Sequence, residues 1–573
     1  MKDLDCTSST QFLGFSRVNL TNLMSLLKLN LNDTLLLVIV ILSLGLNGFW
    51  LWWGLPSGAE TWEVDGIAPL EPLVAAKRLF IDDWWNSGYI NKYPMGHFFI
   101  VLAVYAPYIV YLFVTGGLST PDDAYPYGLS EPEMALTVLT LLARGVSVVM
   151  GLGIAVLVYL TARDFFGKRG AFFAALIVVF SPAFIYYSHT ANVDVPSLFW
   201  GAVGLFGFAR LVQGRMERFN YLLLGFAVGM GMATKEQVFG LFALLPIPIV
   251  VLQIMHHRGR LSHHGHRFSI REVIRVLVDA NILWGLGTCI LTFVLATHMI
   301  FNWDANVLRL VWRAYQIHPE VGNFPYQTTY PVEVSGLFDG WRQTFWLLWD
   351  SMNPFLLVAS IAGVLYFPFK ERWAGYFLVP FLSYLFLVIP TRGFLRVRFV
   401  MELALVLAFF GGRFLSEVWS WGSTRHRAFL GAFGLLWAYS LIYGSSVNFL
   451  MMYDSRYKAE LWIRDNLSAS ASVETYSEPT YLPRLPQNLT VHRLPFSQEA
   501  LAGLRERSPD YLILTGAKHN RFKEGSPQKK LFTRLLQGDF GYQPLQTFQT
   551  EFLLAPNLVP GLSPEIIILT RQN

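Results

Sequence analysis

Cysteine is almost missing from this chain. Cys6 lies near the N-terminus and Cys289 inside an apolar run, so neither a disulfide framework nor a thiolate-ligated metal site is available. Charge is scarce as well: Asp, Glu, Lys and Arg make up 14% of 573 residues, against about 25% in ordinary soluble proteins. Hydrophobic residues reach 53%, and the chain reads as an integral membrane protein. The net charge of +5 does not imply a nucleic-acid partner, because the basic residues sit in short connectors between apolar runs, the pattern of cytoplasmic loops. The segment before the first apolar run is too long and too polar for a signal-peptide n-region, so no cleavable leader is expected.

What is abundant is membrane-length apolar sequence. A span needs about 20 apolar residues, and hydropathy offers 34–53, 96–115, 135–161, 171–187, 195–212, 220–233, 237–255, 278–301, 344–366, 373–390, 397–419 and 428–450. The basic connectors around Arg163–Arg169, Arg215–Arg218, His256–Arg275, Lys370–Arg372 and Arg425–Arg427 fall in the cytoplasm only if 96–115 stays in the interface or re-enters; were it to cross, all of them would lie outside. The expectation is therefore about 11 spans plus one interfacial or re-entrant segment, with about 12 spans as the alternative. Segment 1–33 is then cytoplasmic and 34–452 transmembrane, in a multi-pass plasma (inner) membrane protein. Residues 453–573 turn polar and alternate short apolar strands (511–514, 565–569) with helix-like stretches, which predicts a C-terminal extracytoplasmic α/β domain. Tryptophans 50, 52, 53, 84, 85, 341, 346 and 349 read as interfacial belts.

The loop 54–134 carries ten acidic residues against Lys77, Arg78 and Lys92, which places it outside the cytoplasm. It holds Trp62-Glu63-Val64-Asp65-Gly66 and, further on, the run Lys92-Tyr93-Pro94-Met95-Gly96-His97. After it come Ser181-Pro182 through Asp194-Val195-Pro196, and a short span ending in Ala233-Thr234-Lys235. In this order the pieces resemble the GT-C integral-membrane glycosyltransferases, such as protein O-mannosyltransferases and aminoarabinose transferases. The resemblance covers about residues 34–255 and continues loosely to the end. The sequence departs from the family at Met95, where a second proline is usual, and at Glu63-Val64-Asp65, where many members have adjacent acids.

The resemblance implies inverting transfer of a sugar from a polyprenyl-phosphate-linked donor to an acceptor that is a glycan, lipid or protein. It brings Asp65, Glu63 and Asp194 forward as catalytic acids, with Asp65 favoured over Glu63 as the base. The chemistry asks for the same groups. A carboxylate beside apolar surface is expected to have its pKa raised toward the working range, and a departing phosphate needs cations. Lys92 and Lys235 are the candidates for that cradle, with Arg396 or Arg398 as further donors and Tyr93 and His97 completing the substrate-binding set. Each has a plainer reading: Asp194 as a helix N-cap, the lysines as snorkelling anchors, His97 as an interfacial hydrogen-bonder, Arg144 as a structural ion-pair partner. The histidines 256, 257, 263, 264 and 266 sit among arginines with no acid or thiol at ligand spacing, so no metal is assigned, and any cofactor stays unknown, a divalent metal included. The rival reading is a transporter or flippase of lipid-linked sugars, for which Glu402 is the one clear carboxylate within a span.

Overall fold

The computed structural model of the chain describes residues 33–572 apart from 83–84, 86–90, 123, 262–269, 310–333, 392–393, 423–426, 523, 555 and 557. The cytoplasmic segment assigned to 1–33, Trp84 and histidines 263, 264 and 266 thus lie almost wholly outside the described residues. The helices that position the site are α1 (Thr34–Gly48), α2 (Gly96–Val114), α3 (Pro132–Val179), α4 (Pro182–Ser188), α5 (Asp194–Val212), α6 (Arg218–Thr234), α7 (Pro246–Leu261) and α8 (Ala280–Ala296). They are followed by α9 (Val334–Met352), α10 (Pro354–Tyr366), α11 (Arg372–Leu387), α12 (Met401–Gly422), α13 (Arg427–Met452) and α14 (Ser455–Asn466).

The chain is a polytopic α-helical membrane protein. By length and composition six described helical segments are able to cross a membrane, or up to seven if a bent pair counts as one span. Most of the larger number expected from hydropathy has three physical sources, while α12, over the expected span 397–419, is also not among the six. The larger number includes α1, α6 and α8, whose 15, 17 and 17 residues fall below the roughly 20 that span a bilayer. It also divides the 48-residue run α3, where Phe166 and Gly167 leave helical geometry and Gly167 takes φ 76°, inside the connector expected there. Finally, the single span expected over 344–366 is two helices, α9 and α10, bent by 120°. Asn353 adopts φ 76° and its side chain accepts from the Phe355 amide, while Pro354 opens α10, so an Asn-Pro step both stops one helix and starts the next.

Helix α1 runs antiparallel to the first half of α3. Asp33 at its start accepts from Tyr159 at 3.0 Å and pairs with Lys168 at 3.1 Å, whereas Leu51, just past its end, accepts from Arg144. Helix α2 packs through Val101, Tyr105 and Leu112 on Leu136, Leu139 and Ala143 of α3, upstream of Arg144. The 19 residues of α2 are long and apolar enough to cross a membrane.

After α13 the chain forms a five-stranded sheet of β1 (Ser472–Thr475), β2 (Thr490–Arg493), β3 (Tyr511–Thr515), β4 (Tyr542–Phe548) and β5 (Ile566–Arg571) in the order β2-β1-β3-β5-β4. β1 is parallel to β2 and β3, and β5 is antiparallel to β3 and β4. The inner strands β3 and β5 are buried on both faces: Leu512, Leu514, Ile567 and Leu569 pack with Phe532 and Leu535, and Ile513, Ile566 and Ile568 with Ala459 and Ile463 of α14. Such continuous apolar strands are what a two-sided sheet requires.

This α/β unit is fastened to the first loop by two tryptophans. Trp53 is 1% exposed and donates to Asp454 at 3.0 Å; Asp454 is paired with the buried Arg456 at 2.7 Å. The Arg456 guanidinium stacks 4.1 Å from the ring centre of Trp62. Trp53 is therefore a joint between loop and domain, in contrast to the membrane-belt role expected of it, while Trp52 stays exposed as a belt residue would.

Candidate active site

The loop 63–67 is a tight turn anchored at its first residue. Glu63 is buried, ion-paired with Arg144 of α3, and accepts from the Ala191 amide at 2.8 Å. Ile67 ties the far side of the turn to the Ala191 carbonyl at 2.6 Å. Between them Asp65 takes φ 60°, a left-handed conformation that Asp tolerates better than most residues. Gly66 follows because a Cβ there would lie 2.7 Å from the Glu63 carboxylate. The turn buries Glu63 and presents Asp65.

Asp65 meets two cations. Lys92 Nζ lies 2.6 Å from one carboxylate oxygen and Arg398 Nη1 2.7 Å from the other. Lys92 leads into α2 and rests 5.2 Å from the ring centre of Tyr93; Arg398 precedes α12. Burial pushes the Asp65 carboxyl up, but the Arg398 and Lys92 charges outweigh it and hold the group well below the usual carboxylate range. The raised pKa expected for Asp65 is thus reversed, because sequence reading supplied the apolar surroundings without the two cations.

Next to this triad lies a second pair. Lys235, at the end of α6, is ion-paired with Asp194, the first residue of α5. Asp194 does not cap its helix through its side chain: Asn192 Oδ1 accepts from the Asp194 amide at 2.6 Å, leaving the carboxylate to Lys235. Phe399 joins the two pairs, with Lys235 5.4 Å and Arg398 5.3 Å from its ring centre. Arg396 feels the charges of Asp65, Arg398 and Arg521, and burial together with the neighbouring guanidinium groups pulls it below its usual pKa.

The structure thus brings Asp65, Lys92, Arg398, Arg396, Asp194 and Lys235 together. It places three other candidates differently. Glu63 is committed to Arg144, Tyr93 is buried beneath Lys92 among Ile67, Met95 and Phe98, and His97 is 1% exposed with neither ring nitrogen bonded among the described residues. Glu402 is a buried neighbour of Lys235 and accepts from Gln237 at 2.7 Å and Tyr384 at 3.1 Å. Sequence reading missed the wall opposite the membrane. A cavity of about 280 Å³ lies against Glu60, Asp65 and Gly66 on one side and Tyr481, Lys518 and Arg521 of the α/β unit on the other. Nothing in the sequence pairs residues so far apart. Among the described residues no group of three or more His, Cys, Asp or Glu converges on a metal position.

Residues 137–284, which include Arg144, Asp194 and Lys235, match the family model described as dolichyl-phosphate-mannose-protein mannosyltransferase. The chain resembles the GT-C glycosyltransferases. Similar solved structures include ArnT from Cupriavidus metallidurans bound to undecaprenyl phosphate, at 14% identity and a TM-score of 0.40 over 96% of this chain and 98% of that one. The archaeal oligosaccharyltransferase AglB from Archaeoglobus fulgidus, with an inhibitory peptide and a dolichol-phosphate, aligns at 14% identity and a TM-score of 0.43 over 84% and 69%. The S. cerevisiae protein O-mannosyltransferase Pmt1-Pmt2 complex bound to the sugar donor aligns at 16% identity and a TM-score of 0.34 over 49% of this chain, and only 35% of that chain is spanned. No curated protein sequence matches the chain.

Proposed function

We propose that this protein is an inverting glycosyltransferase of the GT-C type that moves a sugar from a polyprenyl-phosphate donor to an acceptor at the outer face of the plasma (inner) membrane. The observation that carries the reading is Asp65 held between Lys92 and Arg398, where apolar helices meet a polar cavity. Lys92, Arg396 and Arg398 gather around one carboxylate, leaving positive charge in excess. A phosphodiester donor carries one negative charge and the departing polyprenyl phosphate up to two, so the excess favours the leaving group over the bound donor. The acceptor occupies the cavity beneath Tyr481 and Arg521, on the side of Asp65 away from the membrane helices. Its hydroxyl attacks the anomeric carbon opposite the phosphate, Asp65 takes the proton, and the configuration inverts.

In the resting site Asp65 is a weak base, because its charge is neutralised by two cations. The donor phosphate competes for Lys92 and Arg398. As they turn to the phosphate, burial dominates and the carboxylate becomes more basic. The pH dependence follows with a definite sign. Asp65 with a lowered pKa stays ionised well into acid, so Arg398→Gln, which removes one of the lowering charges, should move the acid limb of kcat/KM to higher pH. An unmoved limb in purified enzyme assayed across the acid range would separate Asp65 from the chemistry.

Orientation is tested independently. The contacts of Trp53 and Trp62 with Asp454 and Arg456 join the start of loop 54–134 to residues 453–573, and the scarcity of Lys and Arg in that loop supports an outer position for both. In a chain cleared of Cys6 and Cys289, cysteines at Ser57 and Glu524 should both react with an impermeant maleimide in intact cells. Reaction at both only after permeabilisation would overturn the outer-face placement.

A further inference from the structure

A second, wholly different pocket lies at the opposite end of the bundle. An open groove of about 700 Å³ runs between α1, the second half of α3 and α13, lined by Leu35, Phe172, Leu176, Phe180, Phe433 and Trp437, with Arg169 at one end. Arg169 to Phe180 is about 16 Å along a helix, close to half of the roughly 30 Å hydrocarbon core. The groove therefore has the depth of one leaflet.

Its charged end is built for an anion. The turn at Gly167 sends Lys168 back to Asp33, at 3.1 Å, while Arg169 lies exposed over Trp419, 6.0 Å from its ring centre. No acid pairs with Arg169 among the described residues. We propose that this groove binds one acyl chain of an anionic phospholipid from the leaflet opposite the Asp65 site, with its phosphate on Arg169. A single-leaflet depth suits a phospholipid chain better than a long polyprenyl tail, and a guanidinium at an aromatic-lined mouth suits a phosphodiester carrying net negative charge.

Native mass spectrometry of the full chain in detergent tests this, with dioleoylphosphatidylglycerol and dioleoylphosphatidylcholine titrated separately. The wild type should retain one phosphatidylglycerol adduct in preference to phosphatidylcholine. Arg169→Gln should lower that preference by about five-fold, the weight of one basic residue at an anionic surface. Gly434 lines the groove, and a Cβ built there has nothing within 4 Å. Gly434→Leu should therefore fold and exclude the chains of both lipids. If that variant fails to fold, the Arg169→Gln comparison decides alone. Equal retention of the two lipids by the wild type, an unchanged preference in Arg169→Gln, displacement of the adduct by undecaprenyl phosphate, or a dimer lost in Gly434→Leu would each overturn the assignment.

Discussion

Asp65→Asn should lower turnover by about 10² to 10⁴, the usual cost of losing a general base, while the protein still inserts and folds. Asparagine keeps the size of the side chain and its place in the turn, where φ is 60°. It no longer competes with the donor for Lys92 and Arg398, so apparent donor affinity should hold or improve as kcat collapses. That split distinguishes a lost base from a damaged site, which would weaken both. Asp194→Asn makes a useful contrast. It leaves Lys235, whose side chain is 7% exposed, without its counter-ion, and should lower thermal stability together with activity. Donor titrations and melting curves on purified variants check both. An Asp65→Asn enzyme turning over near the wild-type rate would remove this carboxylate from the mechanism.

How far the site was legible in the sequence depended on whether each partner lay nearby or was demanded by burial. Asp65, Lys92, Asp194 and Lys235 stood out because acids and lysines at the ends of apolar runs are few, and their order matched a known arrangement. Glu63 and Asp65 could not be separated by composition. The difference lies in Arg144, 81 residues on, and the clue was there: an arginine within an apolar run must find a carboxylate, and the fold delivers Glu63. The bend at Asn353-Pro354 was also written locally, as a turn dipeptide inside a hydrophobic window, but hydropathy averaging erased it. Arg398 on Asp65, Trp53 on Asp454 and the Tyr481–Arg521 wall had no local signal. The first depends on how the segment before α12 packs against the first loop, and the other two on how the α/β unit seats there; all are matters of tertiary packing. The direction of the Asp65 pKa was missed for the same reason, since desolvation is readable from apolar flanks and a guanidinium brought in from a distant helix is not.

Breaking the Glu63–Arg144 pair should have the largest effect on stability. Both side chains are wholly buried, so Arg144→Met leaves a carboxylate with no counter-ion in a low-dielectric interior, at a cost of about 3–5 kcal/mol. Glu63→Gln strands the arginine in the same way. The double variant Glu63→Gln/Arg144→Met removes both charges and should recover much of the loss, because the amide oxygen still accepts from Ala191, as the carboxylate does at 2.8 Å. Activity follows indirectly, since the turn that presents Asp65 hangs on Glu63: each single variant should lose melting temperature and kcat together, and the double variant should regain both in part. Melting curves and turnover per folded molecule for the four proteins form a cycle that isolates the coupling. A Glu63→Gln protein as stable as wild type but inactive would reverse the assignment, making Glu63 the reacting acid and Asp65 its neighbour.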